Sequence, residues 1–183
     1  TDSFSVELSD MVATAKKSGI TFAPEAATPR LRALIDKWIP DDELMRTTGD
    51  VFAGGWNKVK LYFMIGHPTE TDEDVEAIGR LARRVLDQGR ALCPGATVNL
   101  GVSTFVPKPF TPFQWERQID IEETRHKHAI LRRVTNVRGI KLRPHEPENS
   151  WLEGIVSRGD RRVGELFELA WREGCRLDGW NEH

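Results

Sequence analysis

The chain has 183 residues, 39% of them hydrophobic and 30% charged, with a formal net charge of -2. That suits one globular domain with a real core, or a piece of a larger one. The balance carries no basic excess that points to nucleic acid, and no apolar run approaches the ~20 residues needed to cross a bilayer.

The polar opening "TDSFSVELSD" does not read as a secretory leader. Cys93 and Cys175 lie far apart and form no CxxC pair. A reducing, cytoplasmic compartment is therefore expected. Ser5 can cap a first helix over residues 5–17, with Lys16 and Lys17 suiting its negative end and Gly19 stopping it. A short strand over 20–23 follows, closed by Pro24. Thr28 then offers an N-cap with Pro29 at the first helical position, where a missing N–H does no harm. A further helix runs from Asp41 to about Phe52 and ends at Gly54-Gly55.

The strand over 59–65, "VKLYFMI", is apolar at nearly every position, the pattern of a strand covered on both faces. Thr71 and Asp74 form a capping-box start for a helix reaching about Gln88. "CPG" breaks the chain, and "ATVNLGVSTFV" reads as a third strand ended by "PKPFTPF". Asp120 caps a helix over 121–134, with Glu122 and Glu123 early and Arg132 and Arg133 late, as the helix dipole prefers. "GIKLRP" suggests a fourth strand, and a last helix is expected over about 160–173, stopped by Gly174.

Strands alternating with helices of this length mean βαβ units and a parallel sheet. Right-handed crossovers place the helices on its outer face, and ligands of such sheets bind at the carboxyl ends of the strands. Three segments fall there: "APEAATP", "GHPTET" and "VPKPFTPF". Glu25 either caps the next helix or accepts hydrogen bonds from ribose hydroxyls or an amine. Gly66 lets the backbone approach a bound group closely. His67 is a base, a ligand or a packed side chain. Backbone exposed at Thr104, Phe105 and Val106 can meet an adenine edge, with Phe105 or Val106 against its face. Phe110, Phe113 and Trp115 read instead as covers for the bottom or side of the sheet, Phe113 and Trp115 above all.

Other clusters carry less. "RHKHAILRR" reads as a solvated helix face, with His126 and His128 on different sides. His145, Glu146 and Glu148 in "HEPEN" have metal-capable atoms but lack H-E-x-x-H spacing and a partner cluster, so no metal site is assigned. Asp160 beside Arg158, Arg161 and Arg162 reads as an ion-pair network rather than an anion site.

Taken together, "ITFAPEAATPRLRALIDK", "KVKLYFMIGHPTETDEDV" and "VSTFVPKPFTPFQW" resemble the second half of the radical S-adenosylmethionine (radical SAM) core. The tail "PHEPENSWLEGIVSRGDRRVGELFELAWREGCRLDGWNEH" resembles the extension of a subgroup in which a B12-binding-like domain often precedes the core. The resemblance implies half of a partial (β/α)6 TIM-like barrel, parallel strands with outer helices, over residues 1–118. The last barrel helix and a mainly helical C-terminal extension would occupy 119–183. In the complete core a C-x3-C-x2-C loop holds a 4Fe-4S cluster, whose open iron binds SAM and cleaves it reductively to a 5′-deoxyadenosyl radical. Carried over by position, Glu25 ends the strand whose residues contact the SAM ribose or amine. Ile65 and Gly66 end the strand where adenine packs, and Thr104, Phe105 and Val106 end the strand whose backbone also reaches adenine. Cobalamin is a candidate cofactor of the complete protein only.

The chain departs from the family pattern in three places. Glu25-Ala26-Ala27 replaces the usual E-A-G or E-S-G, and Ala27 demands a negative φ. His67 stands where an apolar residue is usual. No C-x3-C-x2-C occurs anywhere. The cluster ligands therefore lie outside this chain, which alone is expected to be inactive. Its first partner is the missing N-terminal half of the barrel, and an edge strand left bare at 20–23 would promote self-association. Two rival readings remain: a non-catalytic half-barrel binding or interaction module, and an ordinary α/β domain with unrelated ligands. Substrate and catalytic residues are not assigned.

Overall fold

The computed structural model describes residues 19–175. The helix expected over 5–17 lies outside them. Four strands, β1 (Ile20–Glu25), β2 (Lys58–Ile65), β3 (Thr97–Thr104) and β4 (Ile140–Pro144), form a single sheet in the order β1-β2-β3-β4. Every pairing is parallel. Helices α1 (Pro29–Leu34) and α2 (Asp41–Ala53) connect β1 to β2. Helix α3 (Asp72–Leu92) connects β2 to β3, and α4 (Ile121–Val134) connects β3 to β4. Helices α5 (Pro147–Arg158) and α6 (Arg162–Arg172) follow.

Side-chain alternation makes the sheet one-sided. Val59, Leu61, Phe63 and Ile65 of β2 and Val98, Leu100 and Val102 of β3 are all buried. They meet Leu44, Val51 and Phe52 of α2, Ile78, Leu81, Val85 and Leu86 of α3, and Leu131 of α4 in one core. The expectation that β2 is covered on both faces is overturned. Lys60 and Met64 are only half-buried and Tyr62 is 44% exposed, because no layer packs on that face among the described residues. Apolar letters misled here: Tyr62 and Met64 look like core residues but stand on the open face.

Helix starts follow the sequence. Thr71 Oγ1 accepts from the Asp74 N–H, and an Asp74 carboxylate oxygen accepts from the Thr71 N–H. Asp120 and Glu123 make the same reciprocal pair at α4. Thr28 is the N-cap residue of α1 but makes no capping hydrogen bond. Its hydroxyl donates instead to Asp74 at 2.8 Å, tying the loop after β1 to the start of α3. The largest difference from expectation is α5, which occupies "PENSWLEGIVSR", where the sequence suggested only a polar "HEPEN" segment. Pro147 at its first turn is a start signal.

Hydrogen bonds from Arg117 and the Asp120 N–H hold the Glu123 carboxyl down from 4.5 to about 2. Burial pushes Asp74 up, but bonds from Thr71, Thr28 and Arg30 outweigh it and leave the carboxyl below its ordinary value. A group whose folded pKa lies below its unfolded one contributes stability that is complete above the unfolded value and is lost as pH falls. For Glu123 that window runs from pH 4.5 down to about 2. Denaturant unfolding across that window should show falling stability in the native chain and a shallower fall in Glu123→Gln. Equal slopes would mean the capping pair does not carry the acid response.

Candidate functional site

The carboxyl ends of β1, β2 and β3 lie along one edge. Phe105 donates its N–H to the Ile65 carbonyl at 2.8 Å, joining the ends of β2 and β3. Glu25 pairs with Phe63 after a register shift in β1. The His67 ring stacks on Phe105 with centroids 5.7 Å apart, and acts electrostatically on Glu25. The structure therefore brings Glu25, Ile65, Gly66, His67, Thr104, Phe105 and Val106 to one rim.

The rim holds unusual backbone. Glu25 has φ 65°, and the Ala26 N–H closes onto the Pro24 carbonyl at 2.8 Å. That is the rare, positive-φ form of the γ-turn, centred on a residue with a side chain. Strain of this kind costs on the order of 1–3 kcal/mol and concentrates at functional sites. Ala27 avoids positive φ, as its methyl requires. The Glu25 carboxyl is raised by burial, opposed by Lys37, whose Nζ lies 3.9 Å away, and by His67.

Gly66 has φ 85°, and a Cβ there would come within 2.7 Å of Ile119 Cδ1. Its N–H is already used, donating to Glu70 Oε1 at 2.7 Å. The same oxygen lies 3.0 Å from Lys127 Nζ of α4, and Glu70 Oε2 lies 3.3 Å from His67 Nδ1. The side chains of His67, Glu70 and Lys127 are 0%, 2% and 10% exposed. A buried carboxylate thus braces the turn after β2 against α4. Neither Glu70 nor Lys127 was singled out from sequence. The signal existed: Lys127 lies on the stripe of Thr124, His128 and Leu131 at helical spacing. The solvated-face reading of "RHKHAILRR" is corrected, since Lys127 and His128 are both buried, while His126 faces outward and pairs with Asp72 at 2.8 Å.

Phe105 is not open for stacking. Its ring lies between His67 and Phe113, the latter in an edge-on contact at 5.7 Å. Val106 is buried, yet its backbone forms no hydrogen bond among the described residues. His67 Nε2 and Thr104 Oγ1 are also buried without a partner. Unsatisfied polar atoms are rare in native interiors, so these two side by side at the rim leave room for a partner there, although Arg32 Nε, Gln88 Oε1 and His128 Nε2 are unpaired elsewhere among the described residues. Phe110 and Trp115, expected to cover the sheet, instead stand 98% and 86% exposed in the loop beyond β3. The loop runs through turns over residues 109–116, and these two rings project from it toward solvent.

The rim loops are tied together. Arg30 donates to Thr69 Oγ1 at 2.9 Å and to the Thr69 carbonyl at 3.1 Å, and also pairs with Asp74. Among the described residues no group of His, Cys, Asp and Glu is arranged to hold a metal ion. Cys93 and Cys175 are both free thiols, too few for a cubane cluster.

No protein-family model and no solved structure matches the chain. It is 32% identical over 162 residues to the uncharacterized protein MJ0966 of Methanocaldococcus jannaschii. The match covers 88% of this chain and 34% of that protein, so the chain spans about a third of the length of the relative it matches. No helix among the described residues is long and apolar enough to cross a membrane.

Proposed function

We propose that the chain is the C-terminal half of a radical SAM core and contributes part of the SAM pocket along the carboxyl rim of its sheet. One observation carries this reading. Glu25, the turn at Gly66–His67 and the end of β3 converge on one edge of an all-parallel sheet, with unpaired polar atoms and positive-φ backbone gathered there. The sequential strand order and one-sided helical layer support half of a TIM-like barrel, with the remaining strands continuing beyond β1.

The rim's chemistry fits an adenosyl group. The Glu25 carboxylate, pinned by its γ-turn, accepts hydrogen bonds from ribose hydroxyls or the amine. The free backbone of Val106 takes the adenine edge. Phe105 serves as the support behind that contact rather than as a stacking face. The Gly66 N–H is committed to Glu70 and Ile119 fills the space beside its Cα, so Gly66 shapes the turn rather than donating to the ligand. When bound to the cluster, SAM supplies the 5′-deoxyadenosyl radical. The cluster ligands must come from the other half, because this chain has only two thiols. His67 has its Nδ1 beside Glu70 and its ring on Phe105, so it holds the turn in place.

The test uses a polypeptide that includes the cluster-binding half, with the cluster reconstituted. Glu25→Ala should weaken SAM binding by about 1.5–3 kcal/mol, the cost of one charge-assisted hydrogen bond. Phe113→Ala should lower stability more than SAM affinity. Unchanged SAM affinity in Glu25→Ala removes that residue from the pocket. An upstream coding sequence without C-x3-C-x2-C would favour the interaction-module reading, which the uncovered sheet face also supports.

A further inference from the structure

The face of the sheet opposite the helices is basic. Lys58 and Lys60 of β2 and Lys141 and Arg143 of β4 stand on it, on either side of Asn99 and Gly101 of β3. A cleft of about 430 Å³ runs across this face, bordered by Lys58, Lys60, Tyr62, Asn99, Arg143 and His145. A second hollow continues it past Lys141. The Tyr62 ring lies over Gly101, where a Cβ would come within 2.5 Å of it, so glycine keeps the floor of the cleft low.

These cations stand together on one face without a counter-charge. Many of the basic side chains elsewhere are matched: Arg84 with Asp41, Arg133 with Glu76, Arg125 with Glu122 and Glu148, Lys127 with Glu70. None of Lys58, Lys60, Lys141 or Arg143 makes an ion pair or a side-chain hydrogen bond among the described residues. Among the described residues no carboxylate borders the cleft, in a chain with 28 acidic against 26 basic residues. Four like charges on one small surface repel each other, a cost that an anionic occupant removes.

Geometry sets the size of that occupant. Lys60, Asn99 and Lys141 share one cross-strand row, and Tyr62, Gly101 and Arg143 share the next. Lys58 lies one row before them, so with strands about 4.8 Å apart and ~6.6 Å between same-face neighbours the charges bracket a patch roughly 10 by 13 Å. That suits a ligand with two or more separated oxyanion groups.

We propose that this face binds a small, multiply charged oxyanion, a phosphate- or carboxylate-bearing molecule. Lys60 and Arg143 are its main contacts, with Lys58 and Lys141 flanking and Asn99 donating between them. As the substrate class of the enzyme it rests on the radical SAM reading, which turns the open face into the barrel interior below the rim. The anion site itself does not require that reading.

Binding of inorganic tripolyphosphate and of citrate to the 183-residue chain is measured by calorimetry at ~0.1 M salt, where charges more than about 10 Å away are screened. Tripolyphosphate alone binding marks a phosphate ligand, citrate alone a carboxylate ligand, and both an oxyanion site indifferent to the two. The double variant Lys60→Gln/Arg143→Gln should weaken binding at least about tenfold, the lower end for lost charge-assisted bonds. The control Arg80→Gln/Arg133→Gln removes the same charge from the helical side and should change it less than about twofold. Thermal unfolding of each variant confirms folding, which removal of mutually repelling exposed charges should not impair. Absence of binding by both probes overturns the proposal. So does an equal loss in both double variants, which would reduce the effect to net charge. Anion binding by the chain, together with no SAM binding by the polypeptide that includes the cluster-binding half, would sink the radical SAM reading and keep the anion site. The opposite pair of results would do the reverse.

Discussion

Lys127→Ala is expected to destabilise the fold by about 3–5 kcal/mol, the range for removing one partner of a buried ion pair. Glu70 is 2% exposed, and its Oε1 takes both the Gly66 N–H and the Lys127 ammonium. Without Lys127 a carboxylate remains in the interior with a histidine beside it and no certain counter-charge. Glu70→Gln in the same background should recover part of the stability, since it removes the uncompensated charge and retains an acceptor for Gly66. Denaturant unfolding of both variants at pH 8 measures this. A loss under about 1 kcal/mol at pH 8 would place the pair with ordinary surface salt bridges and withdraw the brace from the rim.

The helix and strand boundaries were legible wherever a physical signal was local. The α4 limits, 121–134, coincide with expectation because Asp120 and Glu123 cap one end and the arginines favour the other. The parallel order was legible because strands and helices alternate. Failures came where tertiary context decides. Tyr62 and Met64 read as core until the sheet proved to be packed on one side. Lys127 and His128 read as surface because basic letters dominate their segment, although helical spacing puts them on the packed stripe. Phe110 and Trp115 read as core covers by hydrophobicity alone, yet a proline-rich loop gives them nothing to lie against. The rim residues were legible as a group from their place after strands. What each can offer was not. The Gly66 and Phe105 N–H groups are consumed within the protein, and only distances reveal that Val106 keeps its backbone free.

Phe63→Ala and Tyr62→Ala, neighbours in one strand, should differ sharply. Phe63 is 1% exposed, sits in the register row of Val102 and faces the helical layer. Truncating a buried phenylalanine leaves a cavity and costs about 3–5 kcal/mol. The cavity would lie beneath Glu25, its partner across β1, so the γ-turn should loosen as well. Tyr62 points the other way and is 44% exposed, so its loss should cost less than about 1 kcal/mol. Denaturant unfolding of both variants at low micromolar concentration gives the comparison. Equal costs would mean the open face is covered after all. Concentration dependence of the Tyr62→Ala effect would then identify a second copy as the cover, the outcome expected if bare edge strands drive self-association. A concentration-independent equality would remove the basic face as a free anion site.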